Sequence, residues 1–99
     1  MQPGDRVLVM QFAGGEQWIY ATVVHPRDDG GALVLVDHPG NHEHAQMKNA
    51  KRADIRTKAD LQPLLDEART LPDRQVVAGA GSERKRWVAH YEHQIEQLS

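Results

Sequence analysis

Three histidines, His38, His42 and His44, fall in an H-x3-H-x-H spacing around Pro39-Gly40. Three imidazoles, with Asp37 or Glu43 as a fourth ligand, make the donor set of a tetrahedral zinc site, and His25 stands at the end of an expected strand nearby. The spacing fixes no single geometry, and the plainer reading is a polar turn in solvent. No metal and no other cofactor is therefore expected. Five cations, Lys48, Lys51, Arg52, Arg56 and Lys58, crowd into residues 45–58 against one acid, Asp54. Extended by Arg84, Lys85 and Arg86, they would supply phosphate contacts, with Phe12 or Trp18 as a stacking ring. DNA or RNA is thus an alternative partner class; the plainer reading is a solvated basic loop, and no helix-turn-helix or RNA-recognition motif accompanies it. His90 and His93 stand three apart on an expected helix and are read as solvent-facing.

Catalysis finds little to work with. There is no cysteine, which removes thiolate nucleophiles, thiolate metal sites and disulfides. The only serines are Ser82 and Ser99, neither beside a strand-turn-helix elbow. Gly14-Gly15 and Gly30-Gly31 lie between strands rather than ahead of a helix, so neither reads as a phosphate loop. The expectation is a protein that is not an enzyme.

The elements that must position these residues begin with strands. Residues 5–12 alternate, with Val7 and Val9 on one side and Leu8, Met10 and Phe12 on the other. Residues 17–25 are rich in aromatic and β-branched types. There Trp18, Tyr20, Thr22 and Val24 share one face, and Ile19, Ala21 and Val23 share the other. Arg27-Asp28-Asp29-Gly30-Gly31 reads as a hairpin turn. Residues 32–37 give a third strand, residues 42–48 a weaker fourth after the Pro39-Gly40 turn, and residues 52–56 a short fifth strand or a 3₁₀ turn leading into one. A helix is expected over 59–70, with Thr57 as its cap and Leu61, Leu64, Leu65 and Ala68 as its apolar stripe. Pro63 is expected to push that start later, with Asp60 or Gln62 capping instead. Residues 73–81 read as a linker. Ser82 is expected to cap a last helix over 83–98 whose stripe is Arg84, Trp87 or Val88, Tyr91, Ile95 and Leu98. The two tryptophans are read first as core. The domains expected are a barrel over 1–57 and a helical extension over 58–99, docked on the barrel or on a partner subunit, with a homodimer through the last helix as one outcome.

Five short strands with these turns resemble an SH3-like barrel, and within that group a Tudor-like one. The likeness lies in Ile19-Tyr20-Ala21-Thr22-Val23, in Leu33-Val34-Leu35-Val36-Asp37 followed by Gly40-Asn41, and in Asp54-Ile55, and it covers residues 4–57. Tudor-like domains are non-catalytic modules that commonly hold methylated lysine or arginine in an aromatic cage, which works by cation–π attraction. The resemblance places Tyr20 at a cage position and Phe12 near another. Val36 and Pro39 stand where further rings are usual, so the cage is incomplete in this sequence. The resemblance implies a five-stranded barrel, which with the two expected helices makes an α+β fold, and a small adaptor that presents Phe12, Trp18, Tyr20 and Pro39 to a protein partner.

Composition agrees with a small domain of this kind. The chain has 99 residues, 39% of them hydrophobic, and a net charge of −2. A domain this size buries only about 60–65% of its unfolded surface, which disfavours a large enclosed cleft. The charge is uneven: residues 1–44 carry −4, residues 45–58 carry +4 and residues 59–99 carry −2. No apolar run approaches the roughly 20 residues of a membrane span. The first residues lack the basic-then-apolar pattern of a signal peptide, so no membrane partner and a cytoplasmic location are expected.

Overall fold

Val7 and Val9, Ala21 and Val23, Val34 and Val36 recur at every second position along three segments, which is what a sheet with a buried face requires. The computed structural model describes residues 1–11, 17–37, 47–72 and 82–99. They divide into two compact units, Met1–Thr57 and Lys58–Ser99.

The first unit is a five-stranded antiparallel sheet. Its strands are β1 (Arg6–Gln11), β2 (Gln17–Pro26), β3 (Ala32–Val36), β4 (Met47–Ala50) and β5 (Ile55–Arg56), in the spatial order β4-β3-β2-β1-β5. A 3₁₀ turn over Arg52–Asp54 leads into β5. The inner face gathers Val7, Val9, Ala21, Val23, Ala32, Val34, Val36, Ala50 and Ile55 into one core cluster. Register explains the membership: Val7 pairs with Ala21, Val9 with Ile55, Ala21 with Val36, and Ala32 with Ala50. Leu8, on the opposite face of β1, is also fully buried, so β1 is covered on both sides.

The sheet curls into a half-barrel compatible with an SH3-like barrel. One bond measures the curl. Lys48 on β4 shares the inner face with its partner Val34, and its ammonium donates to the Met10 carbonyl on β1 at 2.6 Å. Three strand spacings would put β4 about 14 Å from β1 in a flat sheet, beyond a lysine's reach. A bulge between Val23 and His25 on β2 adds bend and twist near the same place.

The β2–β3 hairpin forms where expected. Gly30 takes φ +87°, which a side chain resists. Asp29 accepts from the Gly31 amide at 2.9 Å, and the Arg27 amide donates to the Gly31 carbonyl at 2.8 Å. Pro26 ends β2 opposite Ala32, needing no further ladder donor. The fourth strand departs from expectation: the described strand runs over Met47–Ala50, whereas residues 42–46 lie outside the described residues. Its Lys-Asn-Ala stretch has poor strand propensity, and pairing with β3 overrides it.

The second unit packs α1 (Lys58–Ala68) against α2 (Glu83–Gln97). Pro63 lies inside α1 and does not delay its start. Ala59, Gln62 and Pro63 are exposed, so water can serve the carbonyl that loses its donor. Leu61, Leu65 and Ala68 are buried, as the stripe required. The helix ends at Ala68, earlier than expected, where the Thr70 and Leu71 amides turn back to the Glu67 and Ala68 carbonyls. Ser82 caps α2 by accepting from the Lys85 amide at 3.0 Å. Its buried positions are Gln94 within the helix and Leu98 at the cap, rather than the whole expected stripe. Trp87 is 44% exposed, against the expectation of core. Its ring stacks instead on Tyr91 of its own helix, with centroids 5.8 Å apart. The linker expected over 73–81 lies outside the described residues. Among the described residues no helix is long and apolar enough to cross a membrane.

Candidate binding face of the sheet

Alternation puts Arg6, Leu8 and Met10 of β1 on the outer face, and the register sets them opposite Thr22, Tyr20 and Trp18 of β2. Thr22 pairs onward with Leu35, and Leu35 with Met47, so one row crosses four strands. Arg56 on β5 faces outward beside Leu8.

Three features define this face. The first is aromatic: Trp18 and Tyr20 are both half-buried on one strand, and the Arg56 guanidinium carbon lies 4.0 Å from the centre of the Trp18 ring. Because β1 separates β5 from β2, the arginine crosses β1 to reach the indole. Such stacking is worth about 0.5–1 kcal/mol at a site open to water. The second is ionic. Arg6 donates to both carboxylate oxygens of Asp37, at 2.7 and 2.6 Å, and to the Thr22 hydroxyl at 3.0 Å. This fork spans β2 and pushes the Arg6 pKa up, chiefly through its hydrogen bond to Asp37. The third is apolar: Leu35 and Met47, a cross-strand pair, are 41% and 46% exposed.

The sequence-expected residues distribute as follows. Trp18 and Tyr20 come together on the outer face; Phe12 and Pro39 lie outside the described residues. Val36 is a core residue, 5% exposed, on the opposite face from Tyr20. It cannot serve a cage wall. One side of the Trp18 ring is already taken by Arg56.

The five cations of 48–58 do not make one stripe. Lys48 points inward to Met10, and Arg52 donates to the Ile55 carbonyl at 2.9 Å. Arg56 lies on Trp18 across the outer face. Lys51 is exposed on the sheet unit, and Lys58 opens α1 in the other unit. His38, His42 and His44 lie outside the described residues, and His25 is exposed at the end of β2. Among the described residues no three or more His, Cys, Asp or Glu side chains could hold a metal ion together. His90 packs edge-on against Trp87, with centroids 5.7 Å apart.

Sequence reasoning singled out none of Leu35, Met47 and Arg6 for this face, and took Asp37 only as a possible metal ligand. Leu35 was readable, since it alternates with core residues Val34 and Val36. Met47 falls within the expected fourth strand, but its pairing with Leu35 is a cross-strand register that spacing does not reveal. Nothing in a separation of 31 residues announces the Arg6–Asp37 fork. The described residues of this face offer apolar, aromatic and guanidinium contacts. No family model matches the chain, and neither a curated protein nor a solved structure matches it.

Proposed function

We propose that residues 1–57 are a non-catalytic, Tudor-like binding module that presents the outer face of its sheet to a protein partner. The observation that carries this reading is the in-register Leu35–Met47 pair, two large apolar side chains left exposed on the face that also bears Trp18 and Tyr20. Contiguous exposed apolar surface edged by polar groups is the usual mark of an interaction site. Trp, Tyr and Arg are the residue types that most often anchor such contacts. Protein binding is preferred to nucleic-acid binding because Lys48 and Arg52 donate to carbonyls of the chain itself.

The test is affinity capture with wild type, a Leu35→Ser/Met47→Ser double variant and Lys51→Ala, each checked for native circular dichroism. A partner bound by wild type and Lys51→Ala but lost from the double variant supports the reading. Equal capture by all three contradicts it. Salt-dependent binding of short DNA or RNA, weakened by reversing Lys51 and Arg52, would favour the alternative.

A further inference from the structure

The helical unit carries a second site that the sheet reading does not use. Leu64, Glu67, Ala68 and Leu71 from the α1 side, and Glu83, Trp87 and Tyr91 from α2, line a cleft of about 220 Å³. The spacing explains it. Glu83, Trp87 and Tyr91 are four apart on α2, and Leu64, Glu67, Ala68 and Leu71 follow the three-four pattern of α1 and the turn after it. Trp87 and Tyr91 stack within 25° of parallel, and both rings line the cleft. No lysine or arginine is among the seven lining residues. The cationic flank lies elsewhere on the same helix pair, where Arg69, Arg84 and Lys85 surround a different cleft.

The geometry points to an arginine side chain of a basic protein segment as the occupant of this cleft. The walls impose three requirements. Leu64, Ala68 and Leu71 ask for an aliphatic stem, the ring faces for a cation, and the Glu67 carboxylate for a hydrogen-bond donor. An arginine meets all three, and its planar fork stacks on indole and pairs with carboxylate better than an ammonium does. Arg56 on Trp18 shows the same stacking within this chain. The volume falls below the roughly 300–1,000 Å³ of small-molecule sites, so one side chain fits where a cofactor would not.

The experiment follows the Trp87 indole N–H signal of the ¹⁵N-labelled full chain by NMR, assigned with Trp87→Phe. The probe is an acetylated, amidated Gly-Gly-Arg-Gly-Gly peptide, with its citrulline counterpart as the uncharged isostere. The signal is expected to move saturably with the arginine peptide and to stay in place with citrulline. Glu67→Gln, at an exposed position, is expected to weaken the binding about two- to fivefold. Asp66→Asn removes the same charge outside the cleft and is expected to leave it unchanged. No movement at about 10 mM arginine peptide, equal movement with citrulline, or equal weakening by Asp66→Asn each overturns the assignment. A Trp87 signal that shifts with protein concentration alone, alongside a dimer in light scattering, would give the cleft to a second copy and overturn it too.

Discussion

Replacing Gly31 by alanine tests how the sheet brings its outer face into register. Gly31 is buried, and a methyl there would sit 2.5 Å from the Ala50 carbonyl oxygen, 2.5 Å from Arg27 Nη2 and 3.1 Å from Asp29 Oδ1. The arginine tip can swing away. The carbonyl cannot, because Ala50 is paired with Ala32 in the core. An ordinary carbon–oxygen contact needs about 3.3 Å, so β3 and β4 must part by close to 1 Å. Overpacking of this kind costs about 1–3 kcal/mol. Losing the 3.1 Å bond from Arg27 to Ala50 adds about 1 kcal/mol. The stiffer unfolded chain returns about 0.4–1 kcal/mol. The net is about 1–3.5 kcal/mol, centred near 2, or a fall of roughly 5–25 °C in Tm. Gly4→Ala is the comparison: its φ of +91° is strained for alanine, but nothing lies within 4 Å of the new methyl. Strain of about 1–2 kcal/mol, less the same return of about 0.4–1 kcal/mol from the unfolded chain, leaves an expected cost of about 1 kcal/mol. Urea unfolding followed by circular dichroism measures both. A Gly31→Ala variant within about 0.5 kcal/mol of wild type, or more stable than Gly4→Ala, would refute the reasoning.

Lys48→Met keeps the aliphatic stem but leaves the Met10 carbonyl without its donor; a loss of about 1 kcal/mol is expected in urea unfolding once solvent screening is allowed for. The Asp29 carboxyl is held below its usual value, first by the Gly31 amide. Its contribution is therefore complete above the unfolded value of about 4 and is lost as pH falls through the folded value. The Tm gap between wild type and Asp29→Asn should narrow as the pH drops below about 4 and stay constant above about 5.5. Gln94 is 6% exposed, and among the described residues its side-chain oxygen has no hydrogen-bond partner. Gln94→Leu is expected to raise stability by about 1 kcal/mol, and a loss of that size in the same assay would contradict the unpaired acceptor.

Local pattern and tertiary contact divide what the sequence reveals. The period of two along 6–11 and 17–25 was enough to separate Val7, Val9, Ala21 and Val23 from Trp18, Tyr20 and Thr22, because each side chain's face follows from backbone geometry alone. The Asp-Asp-Gly-Gly turn and the Ser82 cap are equally local, and both form as expected. β4 is different: Lys48, Asn49 and Ala50 become a strand only because β3 offers them partners. Lys48 illustrates the cost of reading charge by spacing. Placed among cations in the sequence, it is turned by register to the inner face, where a carbonyl 38 residues away accepts its hydrogen bond. Alternation along β2 puts Trp18 and Tyr20 on one face, as the sequence indicates, whereas Leu35 meets Met47 only through the β3–β4 register.

The most direct test of the binding face is a photo-crosslinking residue placed at position 47, against the same residue at position 51. Both positions are exposed, and both belong to the sheet unit. Protein adducts that form from 47, fail from 51 and disappear when Leu35 is changed to serine are the predicted result. Adducts from 51 alone, or from both positions regardless of Leu35, would contradict an interaction through the outer face.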